Sequence, residues 1–213
     1  MASFRGHIGF GLLVAVFVTG AFVINSIVTG FAVPSALFLA IVIGSFMPDL
    51  DSDASIVFSI IYSLFTSIVL GIVVYWVYLQ YGWDAKQLVI AVSVSFVVVW
   101  FVLRLIFMKL TKHRGMFHSI PAALIAGLVG FQSVMYFSGD MNLALWFGIG
   151  FALGYVAHLV LDELYAGINF NGTPFRSNKM LGTALKLYSG SKWANVTTYV
   201  ILLVLLYKTY LVW

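Results

Sequence analysis

Four histidines and seven acidic residues carry most of the metal-ligating and acid–base chemistry open to this chain, and most of them fall in short clusters. His113-Arg114-Gly115-Met116-Phe117-His118-Ser119 holds two histidines five residues apart. His158 and Asp162 are spaced i, i+4, so on a helix they share one face. Asp49, Asp51 and Asp53 alternate directly behind Pro48, and His7 stands alone near the start. There is no cysteine, which excludes disulfides and thiolate ligands and leaves imidazole and carboxylate. That donor set suits Zn, Mn, Fe or Ni. Counted together, His7, Asp49, Asp51, His118, His158 and Asp162 exceed the usual four ligands of one zinc ion, so one or two ions are expected.

Each candidate also has a plainer reading. His158 and Asp162 would equally form a buried pair that locks two helices, although a carboxylate inside a membrane helix is costly and usually functional. The three aspartates would serve as a solvated acidic loop. As ligands they would relieve the repulsion of like charges crowded at the negative end of a helix dipole. Asp53 is assigned to solvent. His118 directly precedes a helix start, a rigid position for a ligand. His113 fits a ligand, a proton shuttle or a group that orients a ligand. Arg114 has the fork that grips phosphate or carboxylate, and would otherwise anchor the chain at a membrane surface. Glu163 adjoins Asp162 but leaves the helix roughly 100° away, which makes it a weaker acid–base candidate. With His113 and Arg114 it completes the candidate catalytic set.

The elements that must position these residues are set by composition. The chain has 213 residues, 62% hydrophobic and 8% charged, with a mean hydropathy of +1.07. Soluble domains carry about 25% charged residues, so the solvent of this chain is a bilayer. Apolar runs are expected as spans over about 8–29, 32–47, 56–81, 87–108, 119–137, 143–165 and 194–211. The first is longer than the roughly 7–15 residues of a signal peptide core. Pro48 stops the second, and Ser119 caps the fifth with Pro121 in its first turn. Gly150 and Gly154 form a small-xxx-small pair for close helix approach. The fold expected is all-α: a polytopic transmembrane helical bundle of about seven spans, in one domain over 1–213. Residues 166–193 form its polar loop or lid, in which Leu181, Ala184, Leu185 and Tyr188 predict a short interfacial amphipathic helix near 178–189. No basic stripe suggests nucleic-acid binding.

With the N-terminus inside, Arg5, Arg104, Lys109, Lys112, Arg114, Arg176, Lys179, Lys186 and Lys192 all lie inside, and only Lys86 and Lys208 lie outside. The same topology places His7, Asp49, Asp51, His113, His118, His158 and Asp162 on the inner side, although only Lys and Arg were counted.

The N-terminal His, Pro48-Asp49-Leu50-Asp51, His113-Arg114-Gly115 with His118-Ser119, and Gly154-Tyr155 through His158 to Asp162 together resemble the YdjM-like family of bacterial inner-membrane proteins. That resemblance, running from His7 to about Ser189, implies a membrane-bound metal-dependent hydrolase. The family's pattern often has Thr before the second His of the histidine stretch, where this chain has Phe117. The His-xxx-Asp spacing is also similar to that of zinc-dependent phospholipase C and related nucleases. The expected activity is therefore hydrolysis of a membrane lipid at a phosphate ester, with a divalent metal, most simply Zn. Arg114, Arg176 and Lys179 would hold the headgroup. The competing classes are an ion or solute transporter, which would need polar residues continuing to the outer side, and a structural or regulatory protein whose metal staples helices.

Overall fold

The computed structural model describes residues 3–51, 56–82, 84–105, 115–167, 182 and 184–212. His113, Arg114, Asp53, Arg176 and Lys179 lie outside the described residues. Among those described there are helices and no strand. The helices are α1 (Phe4–Ile24), α2 (Ala32–Gly44), α3 (Ile56–Tyr81), α4 (Ala85–Val97), α5 (Ile120–Ser138), α6 (Met141–Gly167) and α7 (Lys192–Val212). A 3-10 turn covers Met47–Asp51, and a π-helical stretch, Val98–Leu103, continues α4. Six of these helices, the fourth counted with its π-helical extension, are long and apolar enough to cross a membrane, and α2 is a shorter apolar helix. The chain is a multi-pass membrane protein, in keeping with the expected seven apolar runs.

Side-chain chemistry sets the helix ends. Ser3 caps α1 by accepting from Gly6 N at 3.2 Å, which places His7 inside the first turn of the helix rather than in a polar head before it. His7, Gly11 and Ala15 then follow at i, i+4, i+8 as the buried stripe of α1. α2 stops at Gly44, earlier than the apolar run suggests, because Pro48 lacks the N–H that would bond to the Gly44 carbonyl. At 13 residues it is about 20 Å long. Ser119 caps α5 with Pro121 in its first turn, as expected. Gly139 turns the chain at φ 66°, and the Asp140 Oδ1 accepts Leu143 N at 3.0 Å to start α6.

The expected surface helix near 178–189 is not formed where the segment is described: Ala184–Ser191 is irregular. Its backbone is held by partners outside itself. Lys186 O accepts from Ile120 N, and Asn195 binds the Ser189 backbone through both ends of its amide. Those bonds replace the internal ones that a helix would make.

The chain divides into two compact units, one of residues 1–48 and 113–213 and the other of residues 49–112. In the first, α6 packs against α1, α2 and α5, and α7 against α5. Ala15, Val28, Val33, Leu37 and Ile41 form one buried cluster, with Trp146 of α6 packed on it. The close approach depends on glycine. A Cβ at Gly154 would lie 2.0 Å from Ile41 O, one at Gly44 2.3 Å from Phe151 O, and one at Gly150 2.8 Å from Leu37 O. The predicted Gly150/Gly154 pair therefore brings α6 against the α2 backbone. Lipid tails are as apolar as leucine, so such van der Waals fit, rather than escape from water, holds membrane helices together. The second unit is the α3–α4 hairpin. Asp84 caps its second helix, accepting from Lys86 N and Gln87 N.

Candidate metal centre

Four buried polar side chains meet in the first unit. His7 comes from α1, His118 from the loop before α5, and His158 and Asp162 from α6. Their exposures are 2%, 0%, 1% and 0%. They lie where α1 and α5 begin and α2 and α6 approach their ends. The topology expected from the sequence thus brings His7, His118, His158 and Asp162 to one place.

The Asp162 carboxylate is the hub. Its Oδ1 is 3.4 Å from His7 Nε2, and its Oδ2 is 3.9 Å from both His118 Nε2 and His158 Nε2. The His7 and His158 rings stack at 3.7 Å and 10°, and the His118 ring stands edge-on to His158 at 5.5 Å. One ligand atom each from His7, His158 and Asp162 lie within 4.8 Å of one another. The N···O separations exceed the roughly 2.7–3.2 Å of a good hydrogen bond. They approach the ligand–ligand spacing of about 3.3 Å that bonds of roughly 2.0–2.1 Å impose around a tetrahedral ion.

Ring orientation fits the same use. His158 Nδ1 is 2.9 Å from Ser45 O. A carbonyl only accepts, so Nδ1 carries the proton and Nε2 keeps its lone pair on the side of Asp162, the tautomer a metal needs. His7 Nδ1 is buried without a hydrogen-bond partner among the described residues. His118 is fixed through its loop. Tyr155 Oη donates to Phe117 O at 2.6 Å, and Ser119 Oγ bridges Met116 O and Ala122 N. Three imidazoles and one carboxylate, without thiolate, match Zn, Mn or Fe.

Asp49 is half-buried in the 3-10 turn directly behind Pro48, where the second unit begins, and Asp51 ends that turn. Glu163 is turned to the backbone: its Oε1 accepts from Gly182 N and its Oε2 from Ala184 N at 3.2 Å. His113 and Arg114 lie outside the described residues, as noted.

Sequence reasoning missed two supports of the site and one tie elsewhere in the unit. The Ser45 carbonyl is released for His158 where α2 ends, a consequence that Pro48 three residues later would have signalled. Tyr155 falls within the Gly154–Asp162 motif, where nothing in its residue type marks it as a support for a neighbouring loop. Gln132, in mid-α5, donates to Leu205 O at 3.0 Å and to Thr209 Oγ1 at 3.2 Å, joining α5 to α7. It is the one strongly polar side chain within the α5 apolar run, and that contrast was its signal.

The family model described as YdjM inner membrane protein matches residues 1–213, the whole chain. No curated protein and no solved structure matches it.

Proposed function

We propose that this chain, which belongs to the YdjM inner membrane protein family, is a metal-dependent hydrolase acting on a membrane lipid at a phosphate ester on the cytoplasmic leaflet. The observation that supports this most is the buried His7–His118–His158–Asp162 cluster at the ends of membrane helices. In this reading those four residues hold a divalent ion, Zn most simply. The Ser45 carbonyl orients His158, and Tyr155 orients the His118 loop. A bound ion supplies Lewis-acid polarisation of a phosphoryl oxygen and acidifies water near neutral pH. Arg114, Arg176 and Lys179 are the chain's cations for the anionic headgroup, and His113 is its proton carrier. Arg5 and Lys192 begin α1 and α7 at the cluster's end of the first unit, and Lys208 lies at the far end of α7, which supports a cytoplasmic N-terminus.

Transport fits less well. Among the described residues of the first unit, the buried residues Ala15, Leu37, Ala40, Ile41 and Ala144 beyond the cluster are apolar. Thr19 Oγ1 of α1 is buried there too, and a hydroxyl is a far weaker cation ligand than the carboxylate and imidazoles of the cluster.

The test is elemental analysis of detergent-purified protein, paired with release of phosphate from phosphatidic acid, or of glycerol phosphate from phosphatidylglycerol, in mixed micelles. The expected result is stoichiometric metal in the native chain, and release that stops with a chelator and returns with Zn²⁺. Equal turnover with and without metal would end the proposal. His158→Ala should give a folded, inactive protein; loss of folding instead would favour a metal that staples the helices.

A further inference from the structure

Glu163 adjoins Asp162 yet serves another group. Both of its carboxylate oxygens are engaged, one by the Gly182 N–H and the other by the Ala184 N–H. Gly182 has φ +77°, a left-handed turn that favours glycine. Ala184 is fully buried against Ala123 of α5 and Tyr155 and Leu159 of α6. Two residues on, Lys186 O accepts from Ile120 N at 3.0 Å. Ile120 is the first residue of α5, so its N–H is one of those that no partner within the helix can satisfy. It also lies two residues after His118.

These contacts make a continuous connection. Glu163 fastens the backbone at 182 and 184, the strap runs on to 186, and 186 fastens the start of α5 that carries His118. We infer that Glu163 is a positioning residue, the clasp of a strap that holds His118 in place. Hydrogen bonds to an ionised carboxylate are roughly twice as strong as neutral ones, so a carboxylate suits a clasp made only of backbone amides. The inference rests on the reading of His118 as part of the reaction centre. The holding of α5 by the strap can be measured without metal or substrate.

Hydrogen exchange on the full chain in detergent tests it. Glu163→Ala should speed exchange at Gly182 and Ala184 by roughly ten- to hundredfold, as expected for losing bonds to a charged group. It should also speed exchange at Ile120, while the core amides of α1 and α7 stay unchanged. Glu163→Gln keeps one oxygen acceptor without the charge and should fall between. Zn²⁺ affinity should weaken by about tenfold in the Ala variant, and in part in the Gln variant, the size typical of disturbing a ligand's support. Unchanged exchange at Ile120 in Glu163→Ala would overturn the inference. So would a protected strap together with equal loss of phosphatidic acid turnover in both variants, since that marks an acid or base in direct contact with substrate. If the native chain binds no Zn²⁺, the proposed function fails, and faster exchange at Ile120 still supports the clasp.

Discussion

The helices around the polar cluster meet through their backbones, whereas the α3–α4 hairpin meets through aromatic side chains. In the first unit, Gly127 and Gly148 face each other so closely that a Cβ on either would lie within 2.9 Å of the other's carbonyl oxygen, and Gly44 and Gly154 allow similar approaches between α2 and α6. In the hairpin, Phe58 stacks on Tyr62 at 5.2 Å, Trp100 packs edge-on to Tyr62 at 5.8 Å, and Arg104 lies over the Phe58 and Trp100 rings. The Tyr62 hydroxyl donates to Val99 O in the π-helical stretch, where the wider turn leaves a carbonyl available. The difference teaches what a buried polar site requires. Holding four ligand-type groups from two helices and a loop to a few tenths of an ångström needs rigid backbone contact. The hairpin, joined among its described residues by ring contacts, tolerates larger, softer packing.

The sharpest way to break this contrast is Gly154→Ala. The new Cβ would press on Ile41 O, a backbone atom that moves only if α2 moves. Overpacking of well-packed sites costs typically 1–3 kcal/mol, and a backbone clash of this kind belongs at about 3 kcal/mol or more. The expected outcome is loss of the monodisperse peak in fluorescence-detected size exclusion. A variant that purifies like the native chain would show that these backbones are not in obligatory contact.

The Gly150/Gly154 spacing was legible in the sequence because small residues four apart on an apolar helix have few other uses. The run boundaries of α3 and the Ser119–Pro121 start of α5 were legible for similarly local reasons. His7, His118, His158 and Asp162 were placed together by counting spans, without any distance. What was hidden depends on backbone groups and on partners far apart in the chain. The Ser45 carbonyl has no side-chain signature, and Glu163 carries none that distinguishes a clasp from an acid. Leu181, Ala184, Leu185 and Tyr188 show helical periodicity in sequence, but in the described part of that stretch amides and carbonyls are claimed by Ile120, Glu163 and Asn195. Tertiary bonds override a weak local preference.

Tyr155→Phe is the next largest step and sharpens the claim about rigidity. It removes the donor that holds Phe117 O at 2.6 Å and leaves a carbonyl unsatisfied beside His118. The expected cost is about 1–3 kcal/mol. Zn²⁺ affinity should also fall by roughly tenfold, the scale set by support groups around ligands. Titration of Zn²⁺ alongside thermal unfolding would check both. A lower melting temperature with unchanged affinity would detach the loop from the site.

Gln132→Leu probes the same unit away from its cluster. The side chain joins α5 to the Leu205 carbonyl and Thr209 hydroxyl of α7, and Thr209 keeps its own bond to Leu205 O at 2.9 Å. Side-chain hydrogen bonds between membrane helices average about 0.6 kcal/mol, with a maximum near 1.7. Unfolding in mixed micelles should therefore show a loss of about 1 kcal/mol, with metal content unchanged. A change in metal content would mean that α7 reaches the site energetically.

The smallest effect expected, and the control for the first, is Gly71→Ala in α3. A Cβ there meets nothing within 4 Å, and the position is exposed. With no neighbour to displace, only backbone entropy and helix propensity remain, and alanine is favoured over glycine by up to about 1 kcal/mol in a helix interior. Bilayer or detergent replaces water around this residue, which reduces the gain from shielding the backbone and leaves the entropy part. The variant should therefore keep the monodisperse size-exclusion peak that Gly154→Ala loses, and unfold at the same temperature as the native chain or a few degrees higher. The same methyl group, added to two apolar helices of one chain, would then separate glycines needed for contact from glycines that merely occur. Equal damage at both positions would mean that α3 is packed at Gly71 against a surface outside this chain, such as a second copy, and cross-linking from residue 71 would identify it.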